Sequence, residues 1–270
     1  MDIQSVLREI SVVLLDMDGT IYLDETPIGD MQNTLRALRK ANKQLVYCTN
    51  NSSKTAEEYV RKLKRIGFWE DGDLVYTSGM ATQEYLNAFY ADRTVYLVGT
   101  EELRSDFAQK GVKLLSESDA DRGVIADVCV LAYDTSLTFG KLKNINRMIV
   151  RGAYYIATHP DDVCPSKEVF PPDVGSFIRL LECSSGKMPD LICGKPFTVM
   201  GDCLKRKLGI ESNRILMVGD RLHTDIRFGV NNRFHTLLVM SGETTAEVLA
   251  YSPDRPECVL NSLNDAVQYL

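Results

Sequence analysis

No stretch of this 270-residue chain approaches the run of roughly 20 apolar residues that a membrane-spanning helix needs. Positive charge is also scarce: 31 Lys and Arg against 37 Asp and Glu leave a net charge of -6. The chain therefore lacks the positive field that non-specific nucleic-acid binding or attachment to an anionic membrane requires. Its seven cysteines include no C-x-x-C pair and no Cys/His cluster at zinc spacing. An odd, scattered set suits a reducing compartment, where cysteine acts as a small apolar residue. The opening Met-Asp-Ile-Gln-Ser lacks the basic start of a signal peptide, and no internal repeat or low-complexity tract interrupts the chain. The expectation is a cytoplasmic protein with neither a membrane nor a nucleic-acid partner.

What remains is an ordinary globular composition, 44% hydrophobic and 25% charged, in a chain long enough for one large α/β domain or two smaller ones. Three apolar runs carry most of the information, because each ends abruptly in polar residues. Val12 to Leu15 end in Asp16-Met17-Asp18-Gly19-Thr20, Leu45 to Cys48 in Thr49-Asn50-Asn51, and Ile215 to Val218 in Gly219-Asp220-Arg221, with Asp225 five residues after Asp220. Short runs that are apolar on both faces are typical of parallel strands, and the carboxyl edge of such a sheet is where ligands bind. Asp and Gly after a strand also make ordinary turns. A calcium loop starting at Asp16 would need Gly at its sixth position and Glu at its twelfth, but those places hold Ile21 and Pro27.

Helical periodicity separates the runs. Met31, Leu35 and Leu38 share a face behind Asp30, a candidate cap, and Tyr59, Val60, Leu63 and Ile66 follow a Thr55/Glu58 capping pattern, with Gly67 placed to stop that helix. A helix over about 80–90 opens a fresh α/β series with strands at Val95–Val98, Val128–Leu131 and Tyr154–Ala157, and Thr158 to Pro172 read as a long loop. Gly194-Lys195-Pro196 is read as the opening of a helix that closes at Gly209, and a last helix is expected over about 262–269. The fold class is thus α/β: a doubly wound, mostly parallel core sheet from residues 1–79 and 186–270, with an inserted α/β domain at 80–185.

If the three strands are parallel neighbours, their ends gather Asp16, Asp18, Asp220 and Asp225 in one crevice, where the carboxylates repel one another unless a cation sits among them. Oxygen ligands open to solvent suit Mg²⁺, which keeps several waters and needs only one or two carboxylates plus a substrate phosphate. Lys195 can supply further positive charge, although taken alone it reads as a solvated lysine at a helix start. Asp225 taken alone reads as a solvated helix face, and His223 and His235 as structural. His159 and Asp161, in Thr158-His159-Pro160-Asp161, are candidates for contact with substrate.

The set Asp16-x-Asp18-Gly19-Thr20, Thr49-Asn50-Asn51, Gly194-Lys195-Pro196 and Val218-Gly219-Asp220-Arg221 with Thr224-Asp225-Ile226 resembles the four motifs of the haloacid-dehalogenase superfamily phosphatases. Ile21-Tyr22 after the first motif, and the insert between the second and third, resemble the C2-capped, NagD-like or 4-nitrophenylphosphatase-type branch. The motifs stand in the family's order and span nearly the whole chain. The resemblance implies that Asp16 is the nucleophile and forms an aspartyl-phosphate, and that Asp18 is the general acid and base. It also implies that Asp16, Asp18 through its backbone carbonyl, and Asp220 bind Mg²⁺ with Asp225 in support, while Thr49, Asn50 and Lys195 hold the phosphoryl group. Asp18 favours ester hydrolysis over dehalogenation, because halide leaves without a proton. The expected substrates are small phosphorylated metabolites such as sugar phosphates or nucleotides, selected by a cap that closes over the crevice. Relatives in this branch often have Asn where this chain has His159. A homodimer is compatible with the resemblance, since caps in relatives often form dimer contacts. The alternatives are a phosphoacceptor module that signals without turnover, and phosphotransfer to an acceptor other than water.

Overall fold

A computed structural model describes residues 2–165 and 169–270. The expected loop from Thr158 to Pro172 includes residues 166–168, which lie outside the described residues. Two compact units emerge: the first comprises Met1–Thr49, Ala56–Tyr76 and Lys195–Leu270, the second Asn50–Thr55 and Thr77–Gly194.

In the first unit the sheet runs Cys258–Leu260, His235–Val239, Ile215–Gly219, Val12–Leu15, Gln44–Thr49, Leu74–Thr77. Val12–Leu15 is its pivot, parallel to Ile215–Gly219 on one side and to Gln44–Thr49 on the other. All four of its side chains are buried, which explains why the run is apolar on both faces. Because chain order reverses about this strand, the polar ends of three adjacent strands meet at one edge, the usual place for a crevice in an open α/β sheet. Met31, Leu35 and Leu38 of the helix Met31–Lys40 are buried in the core, as are Tyr59 and Leu63 of the helix Ala56–Arg65. Gly67, at φ +74°, ends the latter as expected, and Gly209 does the same, at φ +61°, for Val199–Leu208.

The second unit has its own five-stranded parallel sheet, ordered Leu191–Ile192, Tyr154–Ala157, Val128–Leu131, Thr94–Val98, Lys113–Leu114. Its core packs Ile145, Met148 and Ile149 of the helix Phe139–Val150 against Val174, Ile178 and Leu181 of the helix Val174–Ser185.

Three local expectations change. The helix expected from Pro196 starts at Val199: the Pro196 carbonyl, which would accept the first helical bond, instead accepts from Asn231 Nδ2 at 2.8 Å. Asp30 occupies the cap position of Met31–Lys40 without a side-chain bond to the helix backbone, because its Oδ2 accepts from Asn33 Nδ2 at 2.7 Å. The final helix is a 3-10 segment, Leu263–Tyr269. No helix among the described residues is long and apolar enough to cross a membrane.

Candidate active site

Asp16 follows Leu15 at the carboxyl edge of the first sheet, its backbone N–H donating to Val218 O at 2.9 Å. Its Oδ1 accepts from Lys195 Nζ at 2.6 Å, and the same ammonium donates to Asp225 Oδ1 at 2.6 Å and to Cys48 O at 3.3 Å. Lys195 is only 1% exposed, so its three protons meet three acceptors with almost no help from water. Burial works against its charge, but the combined fields of Asp16 and Asp225 prevail and shift its pKa upward.

Asp220, at the end of Ile215–Gly219, accepts from Thr20 Oγ1 at 3.3 Å and from the Glu243 amide at 2.7 Å. Thr244 Oγ1 donates to its main-chain carbonyl at 2.5 Å. Asp225 lies in a π-helical turn, Leu222–Ile226, a wide form often found at functional sites, and its Oδ2 accepts from the Arg221 amide at 3.2 Å. Carboxylate oxygens of Asp16, Asp220 and Asp225 fall within 4.8 Å of one another. Burial, then repulsion from Asp225, pushes Asp16 up to about 6 against the pull of Lys195. Burial, then Asp16, pushes Asp220 up to about 6 as well. The set therefore carries more negative charge than one ammonium and the nearby Arg221 offset.

This donor set fits a hard divalent cation: carboxylate oxygens converge where their ionised forms are short of counter-charge. Asp225 gives one oxygen to the Lys195 ammonium and the other to the Arg221 amide, whereas the Asp220 oxygens accept from neutral donors, the Thr20 hydroxyl and the Glu243 amide, which favours Asp220 over Asp225 as a direct ligand beside Asp16.

Two glycines make the approach feasible. A Cβ on Gly19, at φ +85°, would stand 2.5 Å from Asp220 Oδ2, and one on Gly219 would stand 2.2 Å from the Asp225 Cβ. Asp18 lies on the same turn, where the Gly19 N–H donates to Tyr22 O at 2.9 Å. Its side chain reaches solvent, yet desolvation by the surrounding protein, outweighing attraction to Lys62, raises its carboxyl to about 6. Thr49 ends the strand beside Asp16, whereas Asn50, the next residue, belongs to the second unit. There Asn50 Nδ2 donates to both Asp161 oxygens, at 3.1 and 3.3 Å. His159 is fully buried within the second unit.

Sequence reasoning did not find the Cys48 carbonyl, the Thr20 and Thr244 hydroxyls or the Glu243 amide. Ser241-Gly242-Glu243-Thr244, a polar end to a fourth strand, was the available signal.

Fold and site together define an α/β protein that presents a lysine-braced cluster of carboxylates at a sheet's topological switch point. Residues 13–113 match the family model for haloacid dehalogenase-like hydrolase, and residues 192–266 a second HAD hydrolase-like model. The acid sugar phosphatase of Staphylococcus haemolyticus is 32% identical over 257 residues, 95% of each chain. The crystal structure of 4-nitrophenylphosphatase from Thermotoga maritima superposes with a TM-score of 0.90 at 39% identity, over 97% of this chain and 98% of that one. Glycerol phosphate phosphatase from Mycobacterium tuberculosis, solved in complex with magnesium, superposes with a TM-score of 0.87 at 26% identity, over 97% of this chain and 78% of that one. The chain belongs to the haloacid dehalogenase-like hydrolases, in their NagD/4-nitrophenylphosphatase branch, and is a phosphatase of phosphate monoesters.

Proposed function

We propose that the chain hydrolyses small phosphorylated metabolites (sugar phosphates, glycerol phosphate or nucleotides, with 4-nitrophenyl phosphate as an artificial substrate) through an aspartyl-phosphate on Asp16. The observation that carries this reading is the bridge from Lys195 Nζ to Asp16 and Asp225, 2.6 Å each, beside the buried Asp220. With Oδ1 held by Lys195, the Asp16 carboxylate is fixed in orientation before substrate arrives, which removes an entropic part of the barrier.

In the first step an Asp16 oxygen bonds to phosphorus and the bond from phosphorus to the ester oxygen breaks. Asp18 gives its proton to the departing oxygen. In the second step Asp18 takes a proton from water, the hydroxide attacks phosphorus, and Asp16 leaves as carboxylate with release of inorganic phosphate. A carboxyl raised to about 6 is present in both protonation states near neutrality, as an acid that becomes a base requires. Thr49, Asn50 and Lys195 hold the phosphoryl oxygens. Asp16, Asp220 and the main-chain carbonyl of Asp18 would hold Mg²⁺ with Asp225 in support, and the bound ion would neutralise charge on the phosphoryl group.

The inserted residues 80–185, as a cap, select the substrate. The reading places the protein in the cytoplasm, a reducing compartment that suits scattered cysteines with no C-x-x-C pair among them. A homodimer is the assembly expected from the family resemblance, and sedimentation equilibrium reads it directly. The decisive test is Asp16→Asn, which should abolish hydrolysis of 4-nitrophenyl phosphate while leaving circular dichroism and melting intact. Turnover retained by that variant removes Asp16 as nucleophile, and activity that survives exhaustive chelation removes the metal.

A further inference from the structure

The buried His159 lies at the centre of a hydrogen-bonded chain inside the second unit. Its Nε2 is 3.0 Å from Asp173 Oδ1 and its Nδ1 is 3.0 Å from Thr158 Oγ1. Thr158 Oγ1 is in turn 3.1 Å from Ser52 Oγ, which accepts from the Tyr133 amide at 3.0 Å. Asp173 Oδ1 also accepts from the Val174 amide at 2.7 Å, at the start of the helix Val174–Ser185.

One assignment of protons satisfies every member. Tyr133 N–H donates to Ser52, the Ser52 hydroxyl to Thr158, the Thr158 hydroxyl to His159 Nδ1, and His159 Nε2–H to the Asp173 carboxylate. Turning the Thr158 hydroxyl toward Ser52 leaves the Ser52 proton without an acceptor among the described residues, and a bare Nε2 would set its lone pair against the Asp173 carboxylate, either of which costs more than an exposed bond is worth. The imidazole thus joins the helix start at Asp173 to the segment Asn50–Thr55.

That segment carries the second motif, and the chain grips it from two sides. Ser52 is held through Thr158, and the Asn50 carbonyl accepts from the Ser78 hydroxyl, whose Oγ is 3.5 Å from His159 Nδ1. Gly194 closes the third side: a Cβ there would stand 2.6 Å from Asn50 Oδ1 and 2.8 Å from Thr158 O. The Asn50 side chain thus lies against the Gly194 backbone, with its Nδ2 donating to Asp161.

We propose that His159 is a positioning residue for the phosphoryl-binding segment, setting the orientation in which Asn50 is presented. It acts through Thr158 and Ser52 and does not touch substrate. The inference rests on the reading of Asn50 as a phosphoryl contact. An imidazole reaches Thr158 and Asp173 at once, which asparagine is too short to do.

Two substitutions separate the halves of the bridge. His159→Asn keeps an acceptor near the Nδ1 position and loses the bond to Asp173; His159→Gln keeps a donor near Nε2 and loses the bond to Thr158. Steady-state hydrolysis of 4-nitrophenyl phosphate, competitive inhibition by inorganic phosphate and thermal melting are measured for both, with Thr158→Val and Asn50→Ala alongside. The expected result is a split. His159→Gln and Thr158→Val raise KM and the inhibition constant for phosphate by about tenfold, as small misplacements of a binding group do, with kcat less affected. His159→Asn changes these little and mainly lowers the melting temperature. If KM in His159→Gln and Thr158→Val equals that of the wild type while Asn50→Ala raises it, the positioning role is refuted and Asn50 keeps its own. Asn50→Ala without effect on KM or phosphate inhibition overturns the phosphoryl-contact reading, and this inference with it. Should His159→Gln fail to fold, Thr158→Val decides the matter, since valine preserves the volume and removes only the hydroxyl.

Discussion

Replacing Lys195 by Met isolates the electrostatic worth of the site's central cation. Methionine matches the aliphatic stem closely, so the substitution opens little cavity and removes mainly the ammonium. What it leaves behind is severe: Asp16 and Asp225 each lose a 2.6 Å partner, the Cys48 carbonyl loses its 3.3 Å donor, and Asp225 is 1% exposed. Removing one member of a buried ion pair costs about 3–5 kcal/mol, because the remaining charge stays desolvated. Proton uptake by a carboxylate limits the damage, since Asp16 is already raised to about 6 with the lysine in place, and this favours the lower end of that range. At about 2–4 °C per kcal/mol for a chain of this order of size, a loss near 3 kcal/mol lowers the melting temperature by roughly 6–12 °C. The measurement is thermal unfolding by circular dichroism at neutral pH in chelator, so that no cation substitutes for the ammonium. Adding Asp225→Asn to the Met variant removes one stranded charge and should restore about 0.5–3 kcal/mol, the range typical of coupling between touching residues. A melting shift under about 2 °C in the single variant, less than 1 kcal/mol produces in such a chain, would show that the carboxylates do not depend on Lys195 and refute the argument.

Asp18→Asn removes a titratable proton without removing bulk, and kcat should fall by about 10²- to 10⁴-fold while inorganic phosphate still inhibits; loss of phosphate inhibition as well would assign Asp18 to binding. Asp220→Asn takes one negative charge from the triad, so titration of activity with magnesium should show its midpoint moved to higher concentration, and an unmoved midpoint would exclude Asp220 as a ligand. Gly219→Ala forces a methyl toward a side chain that its ideal position would approach to 2.2 Å. It should cost at least about 1–3 kcal/mol of stability, as overpacking does, with activity falling further than stability because Asp225 is displaced; chemical denaturation and hydrolysis rates measure the two effects.

Much of the first unit was legible because its information is carried by residue type. Val12–Leu15 must be apolar on both faces to lie at the centre of a covered parallel sheet, and an acid immediately after such a run cannot stay in that interior, so Asp16 and Asp220 announce the edge where the chain emerges. Lys195 was legible by its motif company alone, since its near-complete burial depends on Asp225, thirty residues further on, and on the Cys48 carbonyl. What sequence reading misses here is what the backbone supplies. The Glu243 amide and the Cys48 carbonyl exist at every residue and leave no trace in the letters, and the helix expected at Pro196 yields to Asn231, a competitor that local propensity does not register. The membership of Asn50 is the sharper case. Nothing in Thr49-Asn50-Asn51 marks where one unit ends and the next begins, yet Thr49 completes a strand of one sheet while Asn50 bonds to Asp161 of the other unit. A single peptide bond thus separates a strand end beside Asp16 in one unit from the frame of Ser78, Thr158 and His159 in the other. Its stiffness comes from hydroxyls and an imidazole that, taken one by one, read as ordinary structural residues.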